Sequence, residues 1–333
     1  MAKYLNFLFW IIGAVLFIWA VHKVDLSSVK QGLFAIGVGI IPILLAALSV
    51  SIMGSIAWKY TFIPRETRNL KFWQLWKIRQ VGEAFNLITP LGTLGGEPVK
   101  AQLLKRQYSI SLKQGIASQV IQRTTTLMAL VLFLTCGMIL IYQNTLISIS
   151  FKQISLQALV IFSTLILLFL LFQVTGILNL LASGLRYLPE AKLLNFVCHQ
   201  LEHLSHNISG YYRRFPKRCM SSIFFAFMGW IIGVIELYVT LYFLGLSLSI
   251  SEFWIIESLS QLVRSASFFI PLSIGAQETG LVLIFGSMGL SADLGLTVSI
   301  VRRIKELVWV AVGLYLGRHI LKTKLKWGAL ESS

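Results

Sequence analysis

Long apolar runs restrict this chain to a membrane fold more strongly than any other pattern in its sequence. A helix needs about 20 mostly apolar residues to cross the hydrocarbon core of a bilayer, which is about 30 Å thick. The mean hydropathy is +0.77 and only 13% of the residues are charged, which is unlike an ordinary soluble domain. We therefore predict an all-α polytopic membrane protein that forms a single integral membrane domain over residues 1–333. About six full transmembrane helices are expected, at residues 5–21, 33–58, 115–142, 156–183, 221–247 and 295–320.

The positive charges are distributed unevenly between these runs. The chain has 29 Lys and Arg against 13 Asp and Glu, and its net charge is +16. If the N-terminus is cytoplasmic and the spans alternate, 21 of the 29 basic residues fall in cytoplasmic segments, as the positive-inside rule requires. This distribution predicts a multi-pass protein with both termini in the cytoplasm, and we expect the membrane to be the plasma (inner) membrane of a prokaryote. The basic surface would face anionic lipid headgroups, and no nucleic-acid partner is expected.

One polar stretch, NLITPLGTLGGEPVKAQLLKR at residues 86–106, interrupts the apolar pattern. Pro90 removes a backbone donor and ends a helix, while Gly92, Gly95 and Gly96 allow the chain to reverse. Basic residues flank the stretch on both sides, so a full crossing would place one basic cluster outside the cell. We predict instead a re-entrant hairpin, in which a broken helix enters the membrane and returns to the cytoplasm.

A second stretch repeats this arrangement. A glutamine ten residues before a proline and a glutamate seven residues after it occur around both Pro90 and Pro271. Three full spans separate the two prolines, so the second re-entrant hairpin would enter from the opposite face. This is the plan of an inverted-repeat transporter, with repeat halves at approximately residues 59–142 and 253–321. The alternative is that both stretches are kinked packing elements, because Gly and Pro are common in membrane helices.

The two breaks and the ionisable residues near them predict a lipid-binding site. Irregular backbone at membrane depth is tolerated only where protein or water covers it. A glycine-rich turn before a helix leaves N–H groups that suit an anion, and ionisable groups inside a membrane are candidates for function because they are costly there. The predicted substrate-binding residues are Pro90, Gly92, Gly95, Gly96, Glu97, Lys100, Arg123, Glu236, Arg264, Gly275, Glu278, Arg302 and Arg303.

The carboxylates in this set have more than one potential role. Glu97 and Glu278 occupy equivalent positions at the start of the second arm of each hairpin. They would receive the amine of a zwitterionic lipid, exchange protons, or pair with Arg123 and Arg303 to hold the repeats together. Glu236 lies near the middle of the fifth span and needs a cation from another helix. Its candidate partners are Arg264, Arg302 and Arg303.

The sequence lacks the common motifs of nucleotide-binding proteins, metalloproteases, serine hydrolases and glycosyltransferases. It contains no Walker loop, HExxH, GxSxG or DxD motif, and we predict no catalytic residue, no cofactor and no metal. Histidines at 199, 203 and 206 share one helical face, but apolar residues occupy the opposite face. A cytoplasmic amphipathic segment at residues 185–217, lying on the membrane surface, explains both faces without a metal ion.

These motifs resemble those of a known family. TPLGTLGGEPVKAQLLKR followed by QRTT, and IPLSIGAQETG followed by VRRIKE, are similar to the paired signatures of the lysylphosphatidylglycerol synthase transmembrane-region family, a flippase-like group. The resemblance covers about residues 12–318 and implies a domain that moves a phospholipid or related anionic or zwitterionic lipid between leaflets. In the namesake proteins a similar domain translocates an aminoacylated phospholipid that an appended cytoplasmic synthase domain makes. Only fifteen residues follow Arg318, so we expect a stand-alone form without synthase activity.

Two alternatives to lipid transport remain open. Other stand-alone relatives are linked to lipid-linked glycan, hopanoid or glycolipid synthesis, so the chain could be an integral membrane transferase or an accessory subunit, with the same carboxylates as acid and base. It could also be a scaffold that recruits a lipid-modifying enzyme partner to its basic cytoplasmic surface. In all three cases membrane lipids with an anionic or zwitterionic headgroup are the expected partners.

Overall fold

The computed structural model describes residues 2–64, 70–89, 95–145, 147–175, 207–267 and 270–330, which are almost entirely helical. No β-strand occurs among these residues, and the all-α class predicted from the sequence is confirmed. A helical stretch at residues 207–214 precedes the helix that begins at Pro216. In chain order the helices are α1 Ala2–His22, α2 Leu26–Ile36, α3 Ile40–Tyr60, α4 Phe72–Ile88, α5 Gly96–Tyr108, α6 Leu112–Gln143, α7 Ile149–Thr175, α8 Pro216–Phe243, α9 Ile250–Ala266, α10 Ala276–Ser287 and α11 Ala292–Leu330.

Four helical stretches are long and apolar enough to cross a bilayer, namely Leu26–Tyr60, Leu112–Gln143, Ile149–Thr175 and Pro216–Phe243. They overlap the second to fifth predicted spans, and the first of them joins α2 to α3 through a 3-10 turn at Gly37–Gly39. The sixth predicted span lies in α11, which differs from the four because residues 302–306 include four charged side chains. Length and composition therefore identify a helical membrane protein.

The first polar stretch separates two helices, as the sequence predicts. α4 ends at Ile88, Thr89 is extended, and α5 begins at Gly96. Pro90 and Gly92 lie outside the described residues. The start of α5 approaches α4 so closely that a Cβ on Gly96 would lie 1.8 Å from the Gly82 carbonyl oxygen, so only glycine fits there.

The second polar stretch also separates two helices. α9 ends at Ala266, a 3-10 turn spans Pro271–Ser273, and α10 begins at Ala276. Gly275 has a φ of +80°, a conformation that glycine adopts without strain. A Cβ at this position would also lie 1.9 Å from the Gly13 carbonyl oxygen of α1. The turn therefore depends on glycine for both its conformation and its contact with α1.

The helices pack in a reciprocal pattern. α4 packs on α5 and α5 on α6, and in the same way α9 packs on α10 and α10 on α11. The last helix of each set then packs on the first helix of the other set, α6 on α9 and α11 on α4. The helices that precede the two sets, α3 and α8, pack on each other. The largest apolar core lies where α6, α8, α9 and α10 meet, and includes Phe133, Leu241, Ile256 and Phe285.

The predicted amphipathic segment, residues 185–217, falls largely outside the described residues, which resume at position 207. Its last part packs against the end of α3. The Tyr211 hydroxyl donates to the Tyr60 carbonyl oxygen at 2.9 Å, and Arg218 at the start of α8 donates to the same oxygen at 3.1 Å. The histidines at 199, 203 and 206 belong to the part that the structure does not describe.

Candidate functional site

A polar cavity of 160 Å³ lies between α3, α4, α5, α6 and α8, and we call it the first cavity. Val50 and Gly229, near the middles of α3 and α8, form part of its apolar wall. Its charged and amide-bearing lining residues are Arg79, Glu83, Glu97, Lys100, Gln119, Gln122 and Arg123. Charged groups at such a depth are costly in a bilayer unless they pair or line a polar space, and here they do both.

Lys100 is the most deeply buried charge of the first cavity, with only 2% of its surface exposed. Its Nζ lies 2.9 Å from Glu97 Oε1 and 3.5 Å from Glu83 Oε1, and 5.7 Å from the centroid of the Trp58 ring. Gly82 of α4 makes room for the lysine methylenes, because a Cβ there would lie 2.3 Å from Lys100 Cγ. The lysine thus pairs with Glu97 on its own helix and links α5 to α4 through Glu83.

Arg79 of α4 is a partly buried cation of the first cavity. Its guanidinium lies against Gly54, where a Cβ would come within 2.7 Å of Nη2. Nη1 donates to the Ser51 carbonyl oxygen at 3.3 Å, and Nη2 is 4.0 Å from Glu83 Oε1. The buried Nε has no hydrogen-bond partner among the described residues. Arg79 therefore keeps part of its hydrogen-bonding capacity for a group inside the cavity.

A second cavity, of 230 Å³, lies between α3, α4, α8, α9 and α11. It shares Val50, Arg79 and Glu83 with the first cavity, so these residues of α3 and α4 stand between the two spaces. The other charged residues of the second cavity are Glu236, Arg264, Lys305 and Glu306. The two cavities are therefore neighbours beside α4.

The charges of α11 are paired with three other helices. Arg302 donates to Glu257 of α9, and Arg303 Nε donates to Glu278 Oε1 of α10 at 3.0 Å. Glu306 accepts from Arg303 and from Arg264, each at 3.0 Å. Glu278, Arg302 and Arg303 are not among the residues that line either cavity. Their positions fit structural ion pairs that hold α9, α10 and α11 together.

The partner of Glu236 differs from those predicted. Its carboxylate accepts from Lys305 Nζ, whereas the sequence offers Arg264, Arg302 and Arg303 as candidates, and that prediction is wrong. Lys305 lies on the face of α11 that meets α8, which the order of charges in the sequence does not reveal. The predicted pairing of Glu278 with Arg303 is found, but Glu97 pairs with Lys100 rather than with Arg123.

Two N–H groups at the breaks are bonded to side chains of the protein. The Gly96 N–H donates to Asn86 Oδ1 at 2.7 Å, and the Gly275 N–H donates to Glu278 Oε2 at 2.7 Å. These two amides are therefore engaged by side chains of the protein itself, and the expectation that the turns offer N–H groups to an anion concerns the remaining amides. Gly95 precedes α5 and packs against Thr89.

Five of the thirteen predicted site residues line the two cavities. Glu97, Lys100 and Arg123 meet at the first cavity, and Glu236 and Arg264 meet at the second. Arg79 and Lys305 are absent from the predicted set, although they line these cavities. Both carry a recognisable signal: Arg79 precedes Glu83 by one helical turn, and Lys305 follows the arginine pair of α11.

Comparison with known proteins gives one match. Residues 6–315 match the model of the family described as the lysylphosphatidylglycerol synthase TM region. Comparisons with curated proteins and with solved structures give no significant match.

Proposed function

We propose, because the chain belongs to the lysylphosphatidylglycerol synthase TM-region family, that it moves a phospholipid or related anionic or zwitterionic lipid between the leaflets of a membrane. The observation that carries the proposal is the pair of charged cavities on either side of Arg79 and Glu83. A lipid headgroup entering the hydrocarbon core loses its water, and fixed side-chain charges replace part of that hydration. The membrane would be the plasma membrane of a prokaryote, with both termini in the cytoplasm.

The fold that fits this transport is an inverted repeat within one membrane domain. We propose six full spans and two re-entrant hairpins, with repeat halves at about residues 59–142 and 253–321. The reciprocal packing supports this arrangement, because α6 meets α9 just as α11 meets α4, which is what an internal two-fold axis produces. In such transporters the broken helices and the substrate site lie near the bilayer midplane, between the repeats.

Transport is tested with the purified full chain in liposomes that contain a trace of acyl-labelled fluorescent phospholipid. A membrane-impermeant quencher first removes the signal of the outer leaflet. We expect the inner-leaflet signal to be lost as well when the protein is present, because labelled lipid reaches the outer leaflet, and to persist in protein-free liposomes.

The same liposomes separate the other candidate functions. Mass spectrometry of the lipids after incubation with activated glycosyl donors would detect a new lipid species if the chain were a transferase. Unchanged lipid masses together with an unchanged inner-leaflet signal, for every phospholipid class tried, would contradict transport and leave the scaffold that recruits a lipid-modifying enzyme.

Gly54→Ala is expected to reduce lipid movement without unfolding the protein. The new methyl group would overlap the Arg79 guanidinium, which lies 2.7 to 2.8 Å from the Cβ position. The flexible arginine can move away, so transport should fall about tenfold because a small misplacement of a binding group is costly. The thermal midpoint should change little, since alanine is also the better helix former.

The control for this variant is Gly233→Ala on α8. A Cβ at that position would meet Glu257 Oε1 at 3.6 Å, an ordinary contact, and Gly233 does not line either cavity. The control should transport lipid at the rate of the unmodified protein. Equal transport rates for the two variants would contradict a role of Arg79 in lipid binding.

A further inference from the structure

We infer that the protein has a lipid site apart from the two polar cavities, an interfacial site for an anionic phospholipid at the end where α3 finishes and α8 begins. A third cavity, of 420 Å³, lies at this end. It shares no lining residue with the first or the second cavity. The inference therefore concerns a different place in the molecule from the proposed transport route.

The third cavity lies beside the ends of two helical stretches that are long and apolar enough to cross a bilayer. The stretch that contains α3 ends at Tyr60, and α8 begins at Pro216. Ile63 and Pro64, just after the first stretch, and Phe215, just before the second, line the cavity. A ligand there would lie at the boundary between the hydrocarbon core and the headgroups, which is the cytoplasmic boundary in the proposed orientation.

The chain around the third cavity is tied to the carbonyl end of α3. The Tyr211 hydroxyl donates to the Tyr60 carbonyl oxygen at 2.9 Å. Arg218 donates to the same oxygen from Nε at 3.1 Å and to the Lys59 carbonyl oxygen from Nη2 at 3.0 Å, and its guanidinium lies 5.3 Å from the centroid of the Tyr60 ring. The last carbonyl groups of a helix have no partner within the helix itself. These bonds therefore fix the position of the cavity wall.

The lining of the third cavity combines apolar surface with one guanidinium. Tyr211 and Phe215 contribute aromatic rings whose centroids are 6.1 Å apart, and Asn207 adds an amide. Arg214 lines the same cavity and is exposed, and its side chain forms no hydrogen bond or ion pair with another described residue. A guanidinium binds phosphate oxygens through two parallel hydrogen bonds. The lining therefore fits an amphiphile with a phosphate at its polar end.

Gly210 leaves the third cavity open on one side. It belongs to the helical stretch at residues 207–214 and lines the cavity, and no described atom lies within 4 Å of a Cβ built on it. Glycine is a poor helix former, and no close contact at this position requires the missing side chain. The space that Gly210 leaves is available to a ligand.

The charges beside the third cavity favour an anionic lipid over a zwitterionic one. The described segments at residues 59–64 and 207–218 contain five basic residues and no Asp or Glu. Basic residues near a membrane surface attract anionic lipids at long range, but of these five only Arg214 lines the cavity. The basic residues are Lys59, Arg213, Arg214, Lys217 and Arg218. Arg213 and Arg214 thus separate general attraction from binding at a site.

Native mass spectrometry of the purified full chain with chain-matched phosphatidylglycerol and phosphatidylcholine tests the inference. Arg214→Gln should weaken binding of phosphatidylglycerol about fivefold and leave phosphatidylcholine within about twofold. Arg213→Gln removes the same charge from the same helical stretch and should change both affinities less than about twofold. Equal effects of the two variants would show that the basic end attracts lipid as a whole, and would overturn the site.

Gly210→Leu tests the cavity without changing any charge. Leucine is a better helix former than glycine, and its side chain would fill the space that the ligand needs. Binding of phosphatidylglycerol should therefore weaken about tenfold. Unchanged binding in the folded variant would contradict a ligand in the third cavity.

The position of the lipid is measured on the unmodified protein, so that this test does not depend on the folding of a variant. Phosphatidylglycerol with a photoreactive group next to its phosphate is added in trace amount to phosphatidylcholine liposomes that contain the full chain. After illumination, peptide mass spectrometry should find the label on residues 207–218. Labelling confined to the helices around the first and second cavities would exclude the interfacial site.

Soluble competitors separate a membrane lipid from a free phosphate ester. Inorganic phosphate and glycerol 3-phosphate at millimolar concentration should leave the labelling of residues 207–218 unchanged, and its loss would contradict a membrane lipid as the ligand. The outcome is also distinct from that of the transport assay. Label at residues 207–218 in a protein that moves no lipid would contradict only transport, and lipid movement without this label would contradict only the interfacial site.

Discussion

Lys100→Met is expected to lower the free energy of unfolding by about 3 kcal/mol, because removing one partner of a buried ion pair leaves the other charge uncompensated. Here Glu97, at 2.9 Å, loses its cation, and Glu83, at 3.5 Å, keeps the more distant Arg79 at 4.0 Å. The thermal midpoint in detergent, followed by size-exclusion chromatography after heating, should fall clearly. Lipid movement in liposomes should fall to the protein-free rate, because the first cavity loses its most buried cation.

A double variant separates folding from function. Adding Glu97→Gln to Lys100→Met removes the carboxylate that lost its cation, so part of the lost stability should return while transport stays low. Lys105→Met is the matched control, since this lysine is on the same helix but exposed, and both stability and transport should be unchanged. A double variant that recovers transport along with stability would show that Lys100 acts only as a structural cation.

Gly96→Ala is expected to separate α5 from α4. The new Cβ would lie 1.8 Å from the Gly82 carbonyl oxygen, a backbone atom that cannot step aside as a side-chain end would. The helix must shift, and the hydrogen bond from the Gly96 N–H to Asn86 at 2.7 Å is then lost. Overpacking of this kind costs about 1 to 3 kcal/mol, and the lost bond adds about 1 kcal/mol. A large fall in the folded yield and in the thermal midpoint should result.

Gly286→Ala on α10 provides the comparison for this variant. Nothing lies within 4 Å of a Cβ at that position, so the methyl group meets no neighbour. The substitution should leave the thermal midpoint unchanged or raise it, because alanine is favoured over glycine inside a helix by up to about 1 kcal/mol. Equal behaviour of the two variants would mean that α4 and α5 do not approach as closely as described.

The sequence predicts the positions of the breaks well because proline and glycine act locally. Pro90 and the glycines after it place a break between α4, which ends at Ile88, and α5, which begins at Gly96. The break between α9 and α10 follows from Pro271 in the same way. The 3-10 turn at Gly37–Gly39 is not anticipated, although two glycines mark it. The turn lies inside the apolar stretch Leu26–Tyr60, whose hydropathy gives no sign of a change from α-helix to 3-10 helix.

Partner choice among the charges is much harder to predict, since it depends on which face of a helix meets which neighbour. Arg302, Arg303 and Lys305 are separated by one to three residues in sequence, yet each bonds a different glutamate. Successive residues point about 100° apart around a helix, so a shift of one residue changes the partner. Arg79 looks like an ordinary basic flank of a membrane segment, and only the contact with Gly54 shows that it turns inward.

The charged turn of α11 also bears on how the protein is made. An arginine or lysine at the centre of a helix costs about 2.5 to 3.5 kcal/mol when that helix enters the membrane alone, and residues 302–306 contain three of them. Their glutamate partners belong to α8, α9 and α10, all of which are synthesised earlier. In the proposed arrangement of six spans, insertion of α11 would therefore depend on the prior presence of these helices in the bilayer. A nascent chain that misplaces α8, α9 or α10 would then leave α11 without its counter-charges.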